Sequence, residues 1–169
     1  MAFVVAPLSA AHDRQNFACG TDALDRYLRE QAGLDVRRPV AQCYVVHEEG
    51  ASRIAGFYTL SAGDIAVSEL PPEIARKLPR YPVLPVARLG RLAVDAAFKG
   101  QGLGSALLFD AADRALRAGL GIYALAVDAK DERAIAFYQH FGFISFASRP
   151  HQLFKPLTRQ GGGIGHFTL

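Results

Sequence analysis

Apolar and polar positions along the chain predict a mixture of helices and strands. In residues 17–32, FACGTDALDRYLREQA, Leu24, Tyr27, Leu28 and Gln31 repeat at helical spacing behind Thr21 or Asp22, either of which can cap a short amphipathic helix. Gln42–His47 and Ile54–Ser61 are β-rich runs on either side of the turn Glu48-Glu49-Gly50, and they read as a hairpin. Between Ser68 and Pro85, the prolines Pro71, Pro72, Pro79, Pro82 and Pro85 forbid a regular strand interior and predict a loop around one helical turn at Glu73–Leu78. Arg88–Asp95 reads as a strand leading into Lys99-Gly100-Gln101-Gly102-Leu103-Gly104. Ser105–Ala118 then places Leu107, Leu108, Ala111, Ala115 and Leu116 on one helical face and ends at Gly119 and Gly121. Ile122–Asp128 reads as a buried strand, Asp131 caps a helix running to Phe141 and closed by Gly142, and Phe143–Ala147 and His151–Leu157 read as final strands. Helices and strands around one sheet make the fold class α/β (α+β) rather than a bundle.

Composition narrows the picture. The 169 residues suit one domain, expected over 1–157, with a glycine-rich tail over 158–169 expected to be mobile. Half the residues are hydrophobic and 21% are charged, which excludes disorder as the main state. Cys19 and Cys43 lie too far apart for a CxxC pair and exclude a disulfide framework or a four-cysteine zinc site; the scattered histidines suggest no metal. The N-terminus lacks a basic, signal-like segment, and Ile122–Val127 is far shorter than the ~18 apolar residues of a membrane span. The expectation is a cytoplasmic protein with no membrane attachment.

Charge adds a further clue. Fifteen Arg and four Lys against sixteen acidic residues give +3. Arg76, Lys77, Arg80, Arg88 and Arg91 occur with no acidic residue between the first and the last, and arginine suits bidentate phosphate contacts. A solvated basic surface is the plainer reading of this run.

The most informative segment is strand–KGQGLG–helix. Glycine permits positive φ and close approach of a ligand, and the unpaired amides at a helix start attract a diphosphate, with the charge of Lys99 beside them. A plain turn made easy by glycine is the alternative. Known phosphate and nucleophile motifs do not match. The dinucleotide fingerprint needs glycine where Ser105 stands, no Gly-Lys-Ser/Thr is present, and the nucleophile elbow needs glycine where Leu103 stands.

The order strand LAVD, Lys-Gly-x-Gly-x-Gly, helix, strand, then a helix ending FYQHFGF resembles the GNAT acetyltransferases. The resemblance implies a GNAT fold, a central mixed and mostly antiparallel sheet flanked by helices, with acetyl-CoA as co-substrate. It places the pantetheine and thioester on Leu92, Ala93 and Val94, the diphosphate on Lys99, Gly100, Gln101, Gly102, Leu103, Gly104 and Ser105, and a further coenzyme contact on Asp131. Lys99 stands where the family usually has Gln or Arg, and Asp131 where it often has Asn.

Phe17-x-Cys19-Gly20, Leu24-Asp25-x-Tyr27-Leu28, Gly56-Phe57-Tyr58-Thr59-Leu60-Ser61, Leu78-Pro79-Arg80-Tyr81-Pro82 and Gly90-Arg91-Leu92-Ala93-Val94-Asp95 are similar to the toxin subgroup of this family. That resemblance implies acetylation of the α-amine of aminoacyl-tRNA, a block of translation, a ribbon-helix-helix antitoxin and a homodimer. It makes Tyr138 the acid that protonates the departing thiolate, where the residues alone also allow a core tyrosine. Arg76, Lys77, Arg80, Arg88 and Arg91 become the RNA-binding candidates, with Arg26, Arg29, Arg37 and Arg38 as an extension. Tyr58, Tyr81 and Tyr123 are weaker candidates for the acid. A covalent route through Cys19 or Cys43 lacks a neighbouring base in sequence. The rival readings are a GNAT enzyme acting on a protein or small-molecule amine, and a non-catalytic module binding RNA or protein.

Overall fold

A computed structural model describes residues 2–157; the expected tail lies outside the described residues. Seven strands form one sheet: β1 (Phe3–Pro7), β2 (Gln42–Glu48), β3 (Gly56–Ala66), β4 (Val83–Val94), β5 (Ala124–Asp128), β6 (Ile144–Phe146) and β7 (Arg149–Pro156). Their order is β1-β2-β3-β4-β5-β7-β6. The pairs β1/β2, β2/β3, β5/β7 and β6/β7 are antiparallel, while β4 and β5 run parallel from Val86↔Ala124 to Leu89↔Val127. The helices are α1 (Asp22–Arg26), α2 (Ala32–Arg37), α3 (Pro72–Ala75), α4 (Leu103–Leu116) and α5 (Glu132–His140). This is the mixed, mostly antiparallel sheet with flanking helices that the sequence implied.

Contacts divide the described chain into two compact units, one built from the chain up to Ser61 with Gly90–Ala111, the other from Ala62–Leu89 with the chain from Ala112 onward. In the first, Tyr27, Leu28 and Ala32 from the helical segment pack with Phe17, Val45, Ile54, Phe57 and Ala93. Leu28, Val45 and Phe57 are fully buried, each worth about 1.5–3 kcal/mol of transfer free energy. Gly56 is required here by close approach. A Cβ on it would lie 2.9 Å from the Ala93 carbonyl oxygen and 3.1 Å from Leu107 Cδ1. In the second unit, Ile65, Leu84, Val86, Ala124, Ala126, Phe146 and Phe154 form the core, covered by Ile74, Ala75 and Leu78 from the proline-rich segment.

Several local expectations change. The N-terminal run FVVAP is a strand that short length and a lack of alternation hid. The first helix continues past residue 32 to Arg37, because Tyr27–Gln31 forms a π-helical turn that joins α1 to α2. That wider turn leaves Gln31 exposed and brings Ala32 into the core instead. Pro85 lies inside β4 despite the proline rule. It is exposed, and its carbonyl accepts the Tyr123 N–H at 2.8 Å, so the position needs no amide donor of its own. Helix α4 starts at Leu103, two residues before the expected Ser105, and its buried stripe is Leu107, Leu108, Ala111, Ala112 and Ala115, with Leu116 only half-buried.

Candidate active site

The strand–turn–helix segment is assembled around Asp95, a residue that sequence reasoning did not single out as functional. Asp95 is 3% exposed. Its Oδ1 accepts the Ala97 N–H at 2.8 Å, its Oδ2 accepts the Ala18 N–H at 3.0 Å, and Arg53 lies 3.5 Å away. Its own N–H donates to the Ala55 carbonyl at 2.8 Å. One carboxylate thus caps the 3₁₀ turn Ala96–Phe98 and fixes where β4 stops. An aspartate just after an apolar strand and just before a turn was the available signal, but its partners lie as far as 77 residues away in sequence.

Beyond it, Gly100 has φ +81° and Gly102 φ +75°, the left-handed region that favours glycine. A Cβ on Gly100 would meet nothing within 4 Å, and one on Gly102 would reach only Ser105 Oγ at 4.0 Å. The backbone here faces open space, and a ligand can come close to it. The Ser105 hydroxyl donates to the Gly102 carbonyl at 3.0 Å and so holds the turn. The first amides of α4 have no intrahelical acceptor. The Ala106 N–H already donates to Gly102 O at 3.1 Å, so the free set stops at Ser105. This cradle fits an anion with several oxygens, as a diphosphate has.

Lys99 is exposed, but its Nζ donates to the Cys19 carbonyl at 2.9 Å. The Cys19 N–H in turn donates to Asp25 Oδ1 at 2.9 Å. Lys99 therefore ties the start of the turn to the segment before α1 while keeping its charge at that end. Leu92 and Val94 are half-buried, and Ala93 is buried beneath Gly56. Gln101 is exposed, and Leu103 is buried as the first anchor of α4.

In the second unit, α5 carries Tyr138. Asp131 Oδ1 accepts the Ala134 N–H at 2.8 Å and caps this helix, as its sequence position predicts. At the other end Gly142 has φ +87°, and Lys155 Nζ donates to the Phe141 carbonyl at 2.7 Å. Tyr138 is 8% exposed and sits against Phe137 and Phe143, with ring centroids at 5.2 and 5.4 Å. Burial alone pushes its hydroxyl up to about 12. No hydrogen-bond partner of that hydroxyl occurs among the described residues, yet it is not a sealed, orphaned polar atom. The oxygen therefore reaches the surface of its aromatic pocket, protonated and available.

The other candidates separate cleanly. Tyr58 is fully buried, and its hydroxyl donates to Asp110 Oδ2 at 2.6 Å. Burial raises Tyr123. Cys43 is buried and pushed up to about 12 by desolvation, which removes it as a thiolate nucleophile. Among the basic residues, Arg76, Lys77 and Arg80 are exposed. Arg88 lies 3.6 Å from Asp128. Arg91 is partly covered, its guanidinium 3.5 Å from the centroid of the Tyr27 ring, whose hydroxyl donates to Asp35 at 2.7 Å. The five do not act alike: three face solvent and two are held. Arg88 and Asp128 line a polar cavity of about 440 Å³, together with Asp64, Glu69, Arg149 and Gln152 over a floor that includes Ala126 and Phe146.

Comparison with known proteins gives the family. Residues 8–143 match the model of the acetyltransferase (GNAT) family. The chain is 41% identical over 138 residues to a tRNA-acetylating toxin of Mycobacterium tuberculosis (strain ATCC 25618 / H37Rv), covering 80% of this chain and 81% of that protein. It is similar to the solved structure of AtaT complexed with acetyl-methionyl-tRNAfMet, with TM-score 0.85 and 30% identity over 92% of this chain and 95% of that one. It is also similar to a Tyr→Phe variant of the AtaT toxin bound to the C-terminus of the antitoxin AtaR and acetyl-CoA, with TM-score 0.78 and 27% identity over 92% and 93% of the two chains. The chain belongs to the GNAT acetyltransferase family.

Proposed function

We propose that this chain is an acetyl-CoA-dependent N-acetyltransferase toxin that acetylates the α-amine of aminoacyl-tRNA and blocks translation. The observation that carries the reading is the turn at Gly100 and Gly102, held at positive φ before open space at the start of α4. Acetyl-CoA supplies the acetyl group as a thioester. The amides of residues 100–105 hold its diphosphate. Backbone groups of Leu92, Ala93 and Val94 take the pantetheine arm, and an N–H near Val94 steadies the oxyanion. Lys99 contributes charge at the mouth of the turn and fixes its position. Asp131 acts by starting the helix that bears Tyr138.

The α-amine of an aminoacyl ester has a pKa of roughly 7.7–8, so a useful fraction is neutral without a strong base. That amine attacks the thioester carbonyl and releases its proton to solvent. Tyr138, kept protonated by burial, gives its hydroxyl proton to the departing sulfur and regains one from water. Arg76, Lys77, Arg80 and the open edge of Arg91 meet RNA phosphates. The relative named as a tRNA-acetylating toxin and the acetyl-methionyl-tRNA bound to AtaT support this acceptor. The antitoxin peptide on AtaT supports a proteinaceous antitoxin, which we assign to the ribbon-helix-helix class. We further assign one acetyltransferase domain over 1–157, a homodimer and a cytoplasmic location. No helix among the described residues is long and apolar enough to cross a membrane.

The test incubates the protein with acetyl-CoA and a charged tRNA pool and releases the terminal aminoacyl-adenosine for mass spectrometry. An acetyl group on the α-nitrogen is the expected product. Transfer only to protein or small-molecule amines would move the chain to that rival acceptor class, and no transfer at all would leave a binding module.

A further inference from the structure

Tyr81 is used by none of the steps above. Its side chain is 62% exposed, while Leu84, three residues on, is 7% exposed in the core. The backbone that presents the ring is fixed on both sides. The Tyr81 N–H donates to the Pro79 carbonyl at 2.8 Å, closing a three-residue turn, and the Pro82 carbonyl accepts the Val67 N–H at 3.0 Å. Prolines at 79 and 82 stiffen the same stretch. The ring is thus turned outward by a rigid support, and little conformational freedom is lost when something binds to its face.

The surroundings indicate the ligand. Arg76, Lys77 and Arg80 are exposed and make no ion pair among the described residues. No acidic residue occurs between Arg76 and Arg91. A stacking ring among unpaired cations is the chemistry that holds single-stranded nucleic acid, with the ring under a base and the cations on phosphates. A duplex keeps its base faces stacked inside and offers the ring no exposed base.

We propose that Tyr81 is a stacking platform for an unpaired base of the RNA acceptor, with Arg76, Lys77 and Arg80 on the adjoining phosphates. The proposal rests on the aminoacyl-tRNA reading, since such an RNA carries its amino acid on an unpaired terminal stretch. It gives the enzyme a way to recognise that end by shape without reading sequence.

The chain contains no tryptophan, so Tyr81→Trp creates a single fluorescent reporter at the platform. A single-stranded RNA oligonucleotide should quench its emission, and a blunt RNA duplex at the same phosphate concentration should not. In turnover assays, Tyr81→Ala should raise KM for aminoacyl-tRNA roughly ten- to hundredfold, with the loss falling on KM more than kcat, while Tyr81→Phe and Tyr81→Trp restore most of it. The salt dependence of binding should keep its slope in Tyr81→Ala and flatten by about one charge in Arg80→Ala. If wild-type protein acetylates aminoacyl-tRNA but the indole emission of the Tyr81→Trp variant is unmoved and Tyr81→Ala keeps its KM, the platform is wrong and the function stands. A change of sedimentation coefficient in Tyr81→Ala would make the ring a contact between two copies of the chain and would also overturn the platform. A wild-type protein that neither binds nor acetylates aminoacyl-tRNA removes the acceptor reading itself, and this site with it.

Discussion

The glycine turn and the Tyr138 helix carry their chemistry in opposite ways. At Lys99–Gly104 the proposed function makes the backbone the reagent. Gly100 and Gly102 adopt conformations that other residues resist, the Ser105 hydroxyl is spent on the Gly102 carbonyl, and Gln101 is exposed to solvent. At Tyr138 the same reading makes one side-chain oxygen the reagent, and its helix, cap and aromatic neighbours serve to hold it. The first site should tolerate changes of side chain and be sensitive to changes of backbone freedom. The second should depend on a single atom.

The largest expected effect tests the single atom. Tyr138→Phe keeps the ring packing and removes the proton, so turnover should fall by ~10²–10⁴-fold while calorimetry shows acetyl-CoA binding intact. Turnover near wild type would take Tyr138 out of the reaction. The next effect tests the backbone. Gly102→Ala imposes φ +75° on an alanine, a conformational penalty of roughly 1–2 kcal/mol, and sets its Cβ in the open space through which the coenzyme approaches. KM for acetyl-CoA should rise about tenfold on that penalty, whereas Gln101→Ala should stay close to wild type. Equal effects from the two substitutions would erase the distinction between the regions.

A smaller effect appears in pH dependence. With Tyr138 raised to about 12, kcat/KM should climb through the substrate amine's pKa of roughly 7.7–8 and then stay level, with no descending limb from the tyrosine below about pH 10. Linkage gives the same residue a mark on stability. The folded protein binds that proton more tightly than the unfolded chain, whose tyrosine titrates near 10.0. The contribution is therefore complete below about pH 10 and lost as pH rises toward 12. The melting temperature of wild type should fall relative to that of Tyr138→Phe over that window, because only the tyrosine can ionise there.

Local pattern carried the hairpin, α4, the Asp131 cap and the glycine turn into view, because each is written in neighbouring residues. What stayed hidden depends on partners distant in sequence. Asp95 looks like an ordinary turn residue until Ala18 and Arg53 reach it. Lys99 reads as a free phosphate ligand until its hydrogen bond to the Cys19 carbonyl, 80 residues away, is seen. The basic run reads as one surface, yet Arg91 is stacked on Tyr27, and the π-helical turn that presents Tyr27 leaves no trace in a pattern read at 3.6 residues per turn. Tyr81 reads as a weak candidate in sequence because nothing there signals its exposure, which its flanking prolines produce in three dimensions.

The claim beneath all of this is that the amides opening α4 grip a diphosphate. Amide chemical shifts recorded during titration test it directly, comparing acetyl-CoA with acetyl-pantetheine, which lacks the diphosphate. The amides of Gly100, Gln101, Gly102, Leu103 and Gly104 should move with acetyl-CoA and remain in place with acetyl-pantetheine. If they are unmoved at saturating acetyl-CoA, the coenzyme binds elsewhere and the assignment of the turn fails.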